Sequence, residues 1–499
     1  MILSPIGQPE LHSQTLSDQL SSDETVQIVL DGGGVGYSSP VVAELDGDTG
    51  NGREIVVAGA DGMLHVYRAD GTKVWDAQLP IFSCASGKQS DKVYSSPAVG
   101  ALFGDGVAYV VIGYGGFAGA CDGGVAAYRG TDGNKLWEFD VAAFGRQKKH
   151  FVHIPTVFST PALADVDGNG TLEVGFGSFD RHVYLLNADG SVRWYYHTAD
   201  TVWSSPTFAD IDADGQRELL IGSDITKNTF LKPATKNGGF VYAFRTNPVT
   251  GGLVEFRDPT REILIWNSFA KQVIFSSPMV ADVLFTNPGL EVVVGTGCFF
   301  PEGTTNKGGK FVRILSAMTG RVLKKIKTPT CNSATPAIAD LDGDGALEVV
   351  IATPSDRESG ADGKGRLIAW SPETGAKLWE RKIAPKFPFQ SPLVADLNYD
   401  GKPEVIQATA TYVYFYDGLT GSQLGRVRPG TKIQNTPVVT DFDADGRLDL
   451  VVAGAGGGAG RLTIYKNFTS DLSEERRSSQ NLDPQTLIPW GSWLNASGR

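Results

Sequence analysis

The sequence predicts an all-β chain folded as one eight-bladed β-propeller with four-stranded blades. Three observations carry that expectation. A proline preceded by small polar residues recurs eight times, at Pro40, Pro97, Pro161, Pro206, Pro278, Pro336, Pro392 and Pro437. Between these prolines the chain repeats one pattern of short β-branched and aromatic runs broken by glycine turns, the signature of strands joined as hairpins. Amphipathic helical periodicity is nearly absent, although 61 glycines supply the many tight turns such an array needs.

Each unit reads alike. After the proline comes a short apolar run, then an acidic turn, then a second run such as Glu348-Val-Val-Ile-Ala352 or Asp449-Leu-Val-Val-Ala453. A third, alternating segment follows, such as Leu64-His65-Val66-Tyr67 or Val183-Tyr184-Leu185-Leu186. An Asp-Gly or Thr-Gly turn leads to a fourth, such as Lys73-Val74-Trp75, Lys135-Leu136-Trp137, Val192-Arg193-Trp194 or Lys377-Leu378-Trp379. Two repeats are spaced by 45 residues, the size of a four-stranded blade. The other repeats are longer and carry insertions. The eighth unit supplies only three strands, and residues 25–30 lie where an outer fourth strand would. The N-terminal strand is therefore expected to complete the last blade and remove two sheet edges. The alternative is seven blades with a stray hairpin. On this reading 1–24 is a polar N-terminal segment, 25–468 the propeller and 469–499 a polar tail.

Composition narrows the function. The formal net charge of −12 disfavours nucleic acid as a partner, and no apolar stretch is long enough for membrane insertion. No signal peptide is visible at the N-terminus. Much of the acidity sits in one place, the turn between the first and second strands, which reads Asp-x-Asp-x-Asp-Gly-x-x-Glu. Three copies keep four carboxylates: Asp210/Asp212/Asp214/Glu218, Asp340/Asp342/Asp344/Glu348 and Asp441/Asp443/Asp445/Asp449. Two carry one Asn, Asp165/Asp167/Asn169/Glu173 and Asp396/Asn398/Asp400/Glu404. Carboxylates packed this densely repel one another unless a cation sits among them, and Ca2+ takes several hard oxygens with flexible geometry. About five Ca2+ sites are expected, which would cancel most of the formal charge. Glu44, Asp46, Asp48 and Glu54 form a weaker sixth candidate with two extra residues in the turn. The second and fifth units lack the pattern and should bind no metal. Acidic turns kept for solubility would give a single copy equally well, but five in register favour metal.

These loops, with the apolar run into glycine that follows them (Glu218 to Gly222), resemble the FG-GAP (VCBS-type) repeats of integrin α-subunit propellers, over roughly 25–468. The Gly-x-x-x-Trp segments, Gly71 to Trp75 and Gly375 to Trp379, resemble the tryptophan-docking motif of quinoprotein propellers. There is no vicinal cysteine pair of the kind found in many quinoprotein dehydrogenases, so that second likeness is read as blade packing.

The metal loops and short turns fall on one face of such a propeller. Nearly all insertions, 80–94, 114–124, 141–158, 223–239, 258–275, 297–309 and 353–365, fall on the other. The integrin resemblance implies the same division, with metal on the structural face and ligand opposite. All four cysteines map to the loop-bearing face, and two bridges, Cys84–Cys121 and Cys298–Cys331, are plausible beside the alternative of isolated thiols. Three residues before each proline stand Tyr37, Tyr94, Phe158, Trp203, Phe275, Ser333, Phe389 and Gln434, expected to ring the channel mouth. The six aromatic members could stack on sugars or bury peptide side chains, or simply pack neighbouring blades together. His65 and His182 are read as equivalent strand positions.

The function expected is a calcium-stabilised recognition or adhesion propeller, extracellular, at the cell surface or periplasmic, whose loop-bearing face holds a protein or polysaccharide. The alternative is a polysaccharide lyase or glycosidase on the same scaffold. It would draw on loop residues such as Arg146, Lys148, His150, His153 and Asp356.

Overall fold

A computed structural model describes residues 25–30, 33–80, 93–116, 122–148, 154–229, 231, 234–247, 263–298, 309–354, 365–383, 390–398, 400–443, 445, 447–456 and 459–466. Its strands form eight four-stranded antiparallel sheets, so the eight-bladed reading holds and the seven-bladed one does not. Blades 1 to 7 are each a continuous meander: 41–78, 98–140, 162–197, 207–269, 279–327, 337–382 and 393–427. Blade 8 takes its three inner strands from 438–465, and Thr25–Leu30 pairs antiparallel with Ala459–Tyr465, from Thr25 opposite Tyr465 to Leu30 opposite Gly460. The N-terminal strand thus joins the two ends of the array, as the sequence pattern requires.

A ring of hydrogen bonds explains the proline repeat. The residue before each proline is Ser or Thr, and its backbone N–H donates to the hydroxyl of its counterpart in the next blade. The sequence runs Ser39, Ser96, Thr160, Ser205, Ser277, Thr335, Ser391, Thr436 and back to Ser39, every bond lying between 2.8 and 3.2 Å. Proline holds the residue before it extended and offers no N–H of its own, so this N–H is the one left to reach sideways.

The core is divided among the blade interfaces. Eight clusters of buried side chains each straddle two neighbouring blades, from blades 1 and 2 (Val56, Val66, Val110, Tyr128) round to blades 8 and 1 (Leu30, Ile55, Val451, Leu462). At five interfaces the fourth-strand tryptophan reaches across, and its indole N–H donates to a backbone carbonyl of the next blade. Trp75 bonds Gly130, Trp137 bonds Ala188, Trp194 bonds Thr246, Trp266 bonds Ala317 and Trp379 bonds Gly418. At Trp75, Trp137, Trp266 and Trp379 the indole lies over a turn glycine. At Gly421, with φ +66°, an added Cβ would come within 2.5 Å of the Trp379 ring, so both the backbone and the space require glycine. In blade 5 the same position is Lys324, whose ammonium donates to the carbonyls of Pro372 and Glu373. In all seven hairpins leading to a fourth strand the register slips by one beside this position, for example between Val66 and Tyr67. A bulge adds local twist, which suits a side chain that must lean out of its own sheet. The closing strand of blade 8 follows no hairpin and pairs without a slip.

Two local features depart from the sequence reading. Val141–Lys148 is an α-helix rather than part of a loop, started by Asp140, whose carboxylate accepts the N–H of Ala143 at 2.8 Å. Phe144 on this helix packs against Phe139, Tyr184 and Tyr195. His65 and His182 are not equivalent: Met63 and His182 open their strands, and Tyr184 stands where His65 does. The equivalence lies one step away. His65 contacts Asp61 at 3.1 Å, and in blade 3 the Tyr184 hydroxyl donates to Asp180.

A buried pair of acids fixes the segment leading to Trp203. Asp200 accepts the N–H of Thr226 at 2.6 Å and faces Arg181, while Asp224 accepts from the Thr201 hydroxyl at 3.0 Å and the N–H of Ile225 at 2.8 Å. Burial, with the Asp200 charge adding to it, pushes the Asp224 carboxyl up to about 7.

Two outcomes follow. Ser205→Ala leaves the Thr160 N–H without its acceptor and should lower stability by about 1–3 kcal/mol, whereas Ser205→Thr keeps it, as read by chemical unfolding. Asp224 holds a proton in the folded state that the unfolded chain releases, so its contribution is full at pH 4 and lost as pH rises through about 7. Asp224→Asn stays neutral and should remove that part of the decline. Parallel melting-temperature curves for the two proteins from pH 4 to 8 would contradict the assignment.

Candidate functional site

The acidic loops lie at one end of the innermost strands, between them and the second strands. Within each loop the first Asp wraps onto the backbone. In blade 6, Asp340 accepts from Gly343 at 2.7 Å and Gly345 at 2.9 Å. Asp165, Asp210 and Asp396 make corresponding bonds. The loop glycine, Gly345 with φ +88°, permits this reversal.

The ninth-position acid has a second task that the sequence reading missed. It is buried, and one oxygen accepts the backbone N–H that follows the first acid. Glu54 bonds Leu45, Glu173 bonds Val166, Glu218 bonds Ile211, Glu348 bonds Leu341, Glu404 bonds Leu397 and Asp449 bonds Phe442, at 2.7 to 3.1 Å. Blade 5 has no Asp loop, yet Glu291 braces Val283 and Leu284 in the same way. The acid is thus a fold element as well as a potential ligand. That its role is structural could have been read from Glu291, which keeps its place where the rest of the motif is lost.

Five groups bring carboxylate oxygens within 4.8 Å of one another: Glu44/Asp46/Glu54, Asp165/Asp167/Glu173, Asp210/Asp212/Glu218, Asp340/Asp342/Asp344 and Asp441/Asp443/Asp449. The first-blade candidate is therefore assembled despite its longer turn, where Asp48 instead starts a short 3-10 turn at Thr49–Asn51.

The fifth loop position closes a turn of its own. Asp214, Asp400 and Asp445, expected with Asn169 among the ligands, lie outside these groups of clustered acids. Each spends a side-chain oxygen on the backbone N–H two residues further on. Asn169 accepts from Thr171 at 2.7 Å, Asp214 from Gln216 at 2.7 Å, Asp400 from Lys402 at 2.8 Å and Asp445 from Arg447 at 2.8 Å. This is an Asx turn, in which the side chain closes its own loop. Asp344 makes the same bond to Ala346 at 2.7 Å, but it stays within reach of Asp340 and Asp342 and takes the place that Glu348 has in the other groups.

The blade 7 loop, Asp396/Asn398/Asp400/Glu404, is not among the assembled groups at all. There the Asn398 amide donates to Glu404 at 2.9 Å, so an N–H points where a third carboxylate would. Basic side chains divide the remaining loops into two kinds. Arg68 sits 2.9 Å from Asp46, Arg193 2.9 Å from Asp167 and 3.3 Å from Glu173, and Lys466 3.1 Å from Asp443. Among the described residues no basic side chain pairs with the loops of blades 4 and 6.

The donor set suits a hard cation. Burial and the adjacent Asp charges push Glu218 and Glu348 up to about 7, and Glu404 up to about 9. Glu54 is likewise pushed to about 7, and its second oxygen is buried without a hydrogen bond. A cation would relieve the same repulsion that a proton does.

The opposite end of the inner strands opens into a funnel. Its floor is built from the hydroxyl ring, each oxygen accepting one N–H and keeping its own hydrogen for a further partner. Its wall carries Tyr37, Tyr94, Phe158, Trp203 and Phe275, from blades 1 to 5 in order. These rings form a continuous arc. Tyr37 stacks on Tyr94 at 5.3 Å, Tyr94 on Phe158 at 4.1 Å, Phe158 meets Trp203 edge-on at 5.2 Å, and Trp203 leans on Phe275 at 5.0 Å. The rings therefore both pack the blades together and line the cavity. Ser333 continues the wall in blade 6, so among the described residues the arc of rings faces a side lined mostly by hydroxyls. No Asp, Glu, His, Lys or Arg is among the described lining residues.

Cys298 and Cys331 form a disulfide with Cα atoms 5.5 Å apart, tying the blade 5 loop to the connection into blade 6. Cys84, Cys121, Phe389, His150, His153 and Asp356 lie outside the described residues. Arg146 and Lys148 are on the helix, Arg146 3.9 Å from Asp122, and neither lines the funnel. No helix of the described residues is long and apolar enough to cross a membrane.

Comparison with known proteins agrees with this geometry. A model of an FG-GAP-like repeat matches residues 340–407, from the blade 6 loop through the blade 7 loop. A model described as outer membrane protein assembly factor BamB matches residues 19–193. No curated protein sequence matches the chain. Among solved structures, the biofilm matrix protein Bap1 of V. cholerae is 13% identical with a TM-score of 0.55, over 89% of this chain and 91% of that one. Quinohemoprotein alcohol dehydrogenase from Comamonas testosteroni is 14% identical with a TM-score of 0.55, over 88% and 76%. BamB from Moraxella catarrhalis is 14% identical with a TM-score of 0.50, over 88% and 97%. At these identities the likeness is one of fold. The chain is an eight-bladed repeat β-propeller that combines FG-GAP-like acidic loops with the tryptophan docking of quinoprotein-type blades.

Proposed function

We propose that this protein is a calcium-stabilised recognition propeller, extracellular, at the cell surface or periplasmic, that holds a polysaccharide or protein on its loop-bearing face. The observation that carries the reading is the funnel. A wall of five adjoining aromatic rings facing a hydroxyl-lined side, over a floor of hydroxyl donors, matches a sugar ring, which has an apolar face and a polar rim. A described lining made of rings and hydroxyls is suited to holding a ligand, whereas cleaving one calls for an acid or base at the bond. The disulfide on the same face supports an oxidising compartment. A fold likeness to a biofilm matrix protein and to BamB is compatible with that setting.

Calcium belongs on the opposite face. The loops of blades 4 and 6, which carry four carboxylates each and no ion pair to a basic side chain among the described residues, are the first to fill. Those of blades 1, 3 and 8, where Arg68, Arg193 and Lys466 already neutralise part of the charge, fill later. Blade 7 is the weakest of the six.

Millimolar Ca2+ should raise the melting temperature above that in excess EDTA by several degrees, since each loop at about 100 times its Kd contributes about 2.7 kcal/mol. Asp212→Asn combined with Asp342→Asn should remove most of that rise, and no difference between Ca2+ and EDTA would refute the metal assignment. On a glycan array, Trp203→Ala should weaken any bound saccharide about tenfold, while Trp203→Phe, which keeps a ring in the arc, loses less. Equal binding by Trp203→Ala and wild type would move the ligand away from the funnel.

A further inference from the structure

We propose that Tyr412, Arg426 and Arg428, at the loop-bearing end of blade 7, form a binding site for a carboxylate-bearing polysaccharide. The inference rests on the polysaccharide reading above and adds the class of sugar.

The blades repeat a charge pattern on their outer strands. In three of them a Lys is followed three residues later by an acid that it pairs with: Lys73 with Asp76 at 2.9 Å, Lys135 with Glu138 at 2.7 Å and Lys377 with Glu380 at 2.6 Å. The registers place these acids at the same point of the blade. Asp76 stands opposite His65, Glu138 opposite Ala126 and Glu380 opposite Ile368. In blade 7 that point, opposite Tyr414, is Arg426, and the position of the Lys is Gln423. Blade 7 thus carries a positive charge at a point that is acidic in those three blades; in the others it is Tyr195, Asn267 and Lys325.

A second arginine reinforces the inversion. Arg428 follows Arg426 by two residues with the buried Val427 between them, so both project from one face of the strand. Both are exposed. Two like charges side by side repel, and neither makes an ion pair or hydrogen bond with another described residue, in a chain with 56 acids to draw on. Instead they converge on one ring. The Arg426 guanidinium lies 4.5 Å from the centre of Tyr412, and that of Arg428 lies 5.9 Å away.

The ring explains what the pair is for. Tyr412 ends the turn between Glu404–Ala408 and Val413–Asp417, on the loop-bearing side of the blade. Cation–π contact draws both guanidinium groups toward that side and limits their freedom before any ligand arrives. The planar forks keep their N–H donors for a carboxylate, which guanidinium matches in bidentate fashion. The site presents paired charges beside an aromatic ring, both arginines exposed, an arrangement suited to a sugar chain bearing acid groups.

Isothermal titration with polygalacturonate, neutral dextran and poly-glutamate at low and high salt tests this. The expected result is binding of polygalacturonate that weakens with salt, with at least a tenfold loss in Arg426→Gln/Arg428→Gln and a smaller loss in Arg426→Lys/Arg428→Lys. Melting temperatures of these exposed variants should match wild type. Trp203→Ala, measured in parallel, reports on the funnel: if polygalacturonate binding depends on Trp203 and not on the arginines, the recognition reading stands and the arginine site is overturned. Poly-glutamate bound as tightly as polygalacturonate would make the partner an acidic protein and overturn the saccharide assignment. Binding of neither polymer overturns the site as well.

Discussion

The hydrogen bond from the N–H before each proline to the hydroxyl of the next blade is the constraint on which this molecule depends. A propeller has to close on itself, and the blades must keep one mutual angle through eight steps. A ring of bonds between equivalent atoms imposes that angle at the axis, where the blades are narrowest and where apolar side chains have little area to contribute. Serine and threonine combine the shortest polar side chains with an acceptor oxygen, and the proline after them fixes the direction of the chain. Any blade that lost its hydroxyl would leave a neighbour's N–H without its partner.

Away from the axis the demand changes from angle to adhesion, and the means change with it. The eight apolar clusters at the blade interfaces supply most of the buried area, and the docked tryptophans tie the outer strand of one blade to the next. The substitutions in the series show what is required there. Lys324 reaches the carbonyls of Pro372 and Glu373, near those the indole would meet, using a flexible stem in place of a ring. Where the outer strand comes from the N-terminus, Ile28 and Val26 lie over Gly71 instead. A polar tether is thus dispensable at an interface, provided that something covers the glycine turn.

Much of this was legible in the sequence, for a physical reason. A repeat that must stack on itself repeats its constraints, so the eight prolines, the acidic loops and the tryptophans all stand in register, and the closing strand was recognisable by its place. What could not be read depended on how each side chain is spent. That the ninth acid also braces a backbone N–H leaves no mark in composition. The same holds for the turns closed by Asn169, Asp214, Asp400 and Asp445, since an Asx turn and a ligand call for the same residue types at the same spacing. The helix Val141–Lys148 is a single short element whose periodicity was lost among the insertions. The ranking of the loops turned on Arg68, Arg193 and Lys466, which come from strands 20 or more residues away from the acids they meet. The equivalence of His65 and His182 failed because one-letter likeness was compared without the register that the bulges set.

The two ends of the molecule are linked by very little chain. The innermost strands are three residues long, as in Thr207–Ala209, so Trp203 in the funnel and Asp210 in the acidic loop bracket a single short element. One end is held by the hydroxyl ring through Ser205, the other by the brace from Glu218 to the N–H of Ile211. An inner strand pinned at both ends cannot tilt without breaking one of them, which is how a cation on one face would steady the aromatic wall on the other without touching it. The separation of the acidic loops from the funnel is therefore a mechanical arrangement. The acids are kept at the far end of the strands that carry the uncharged described lining, where their charge can be met by a cation and their backbone bonds hold the strand ends in place.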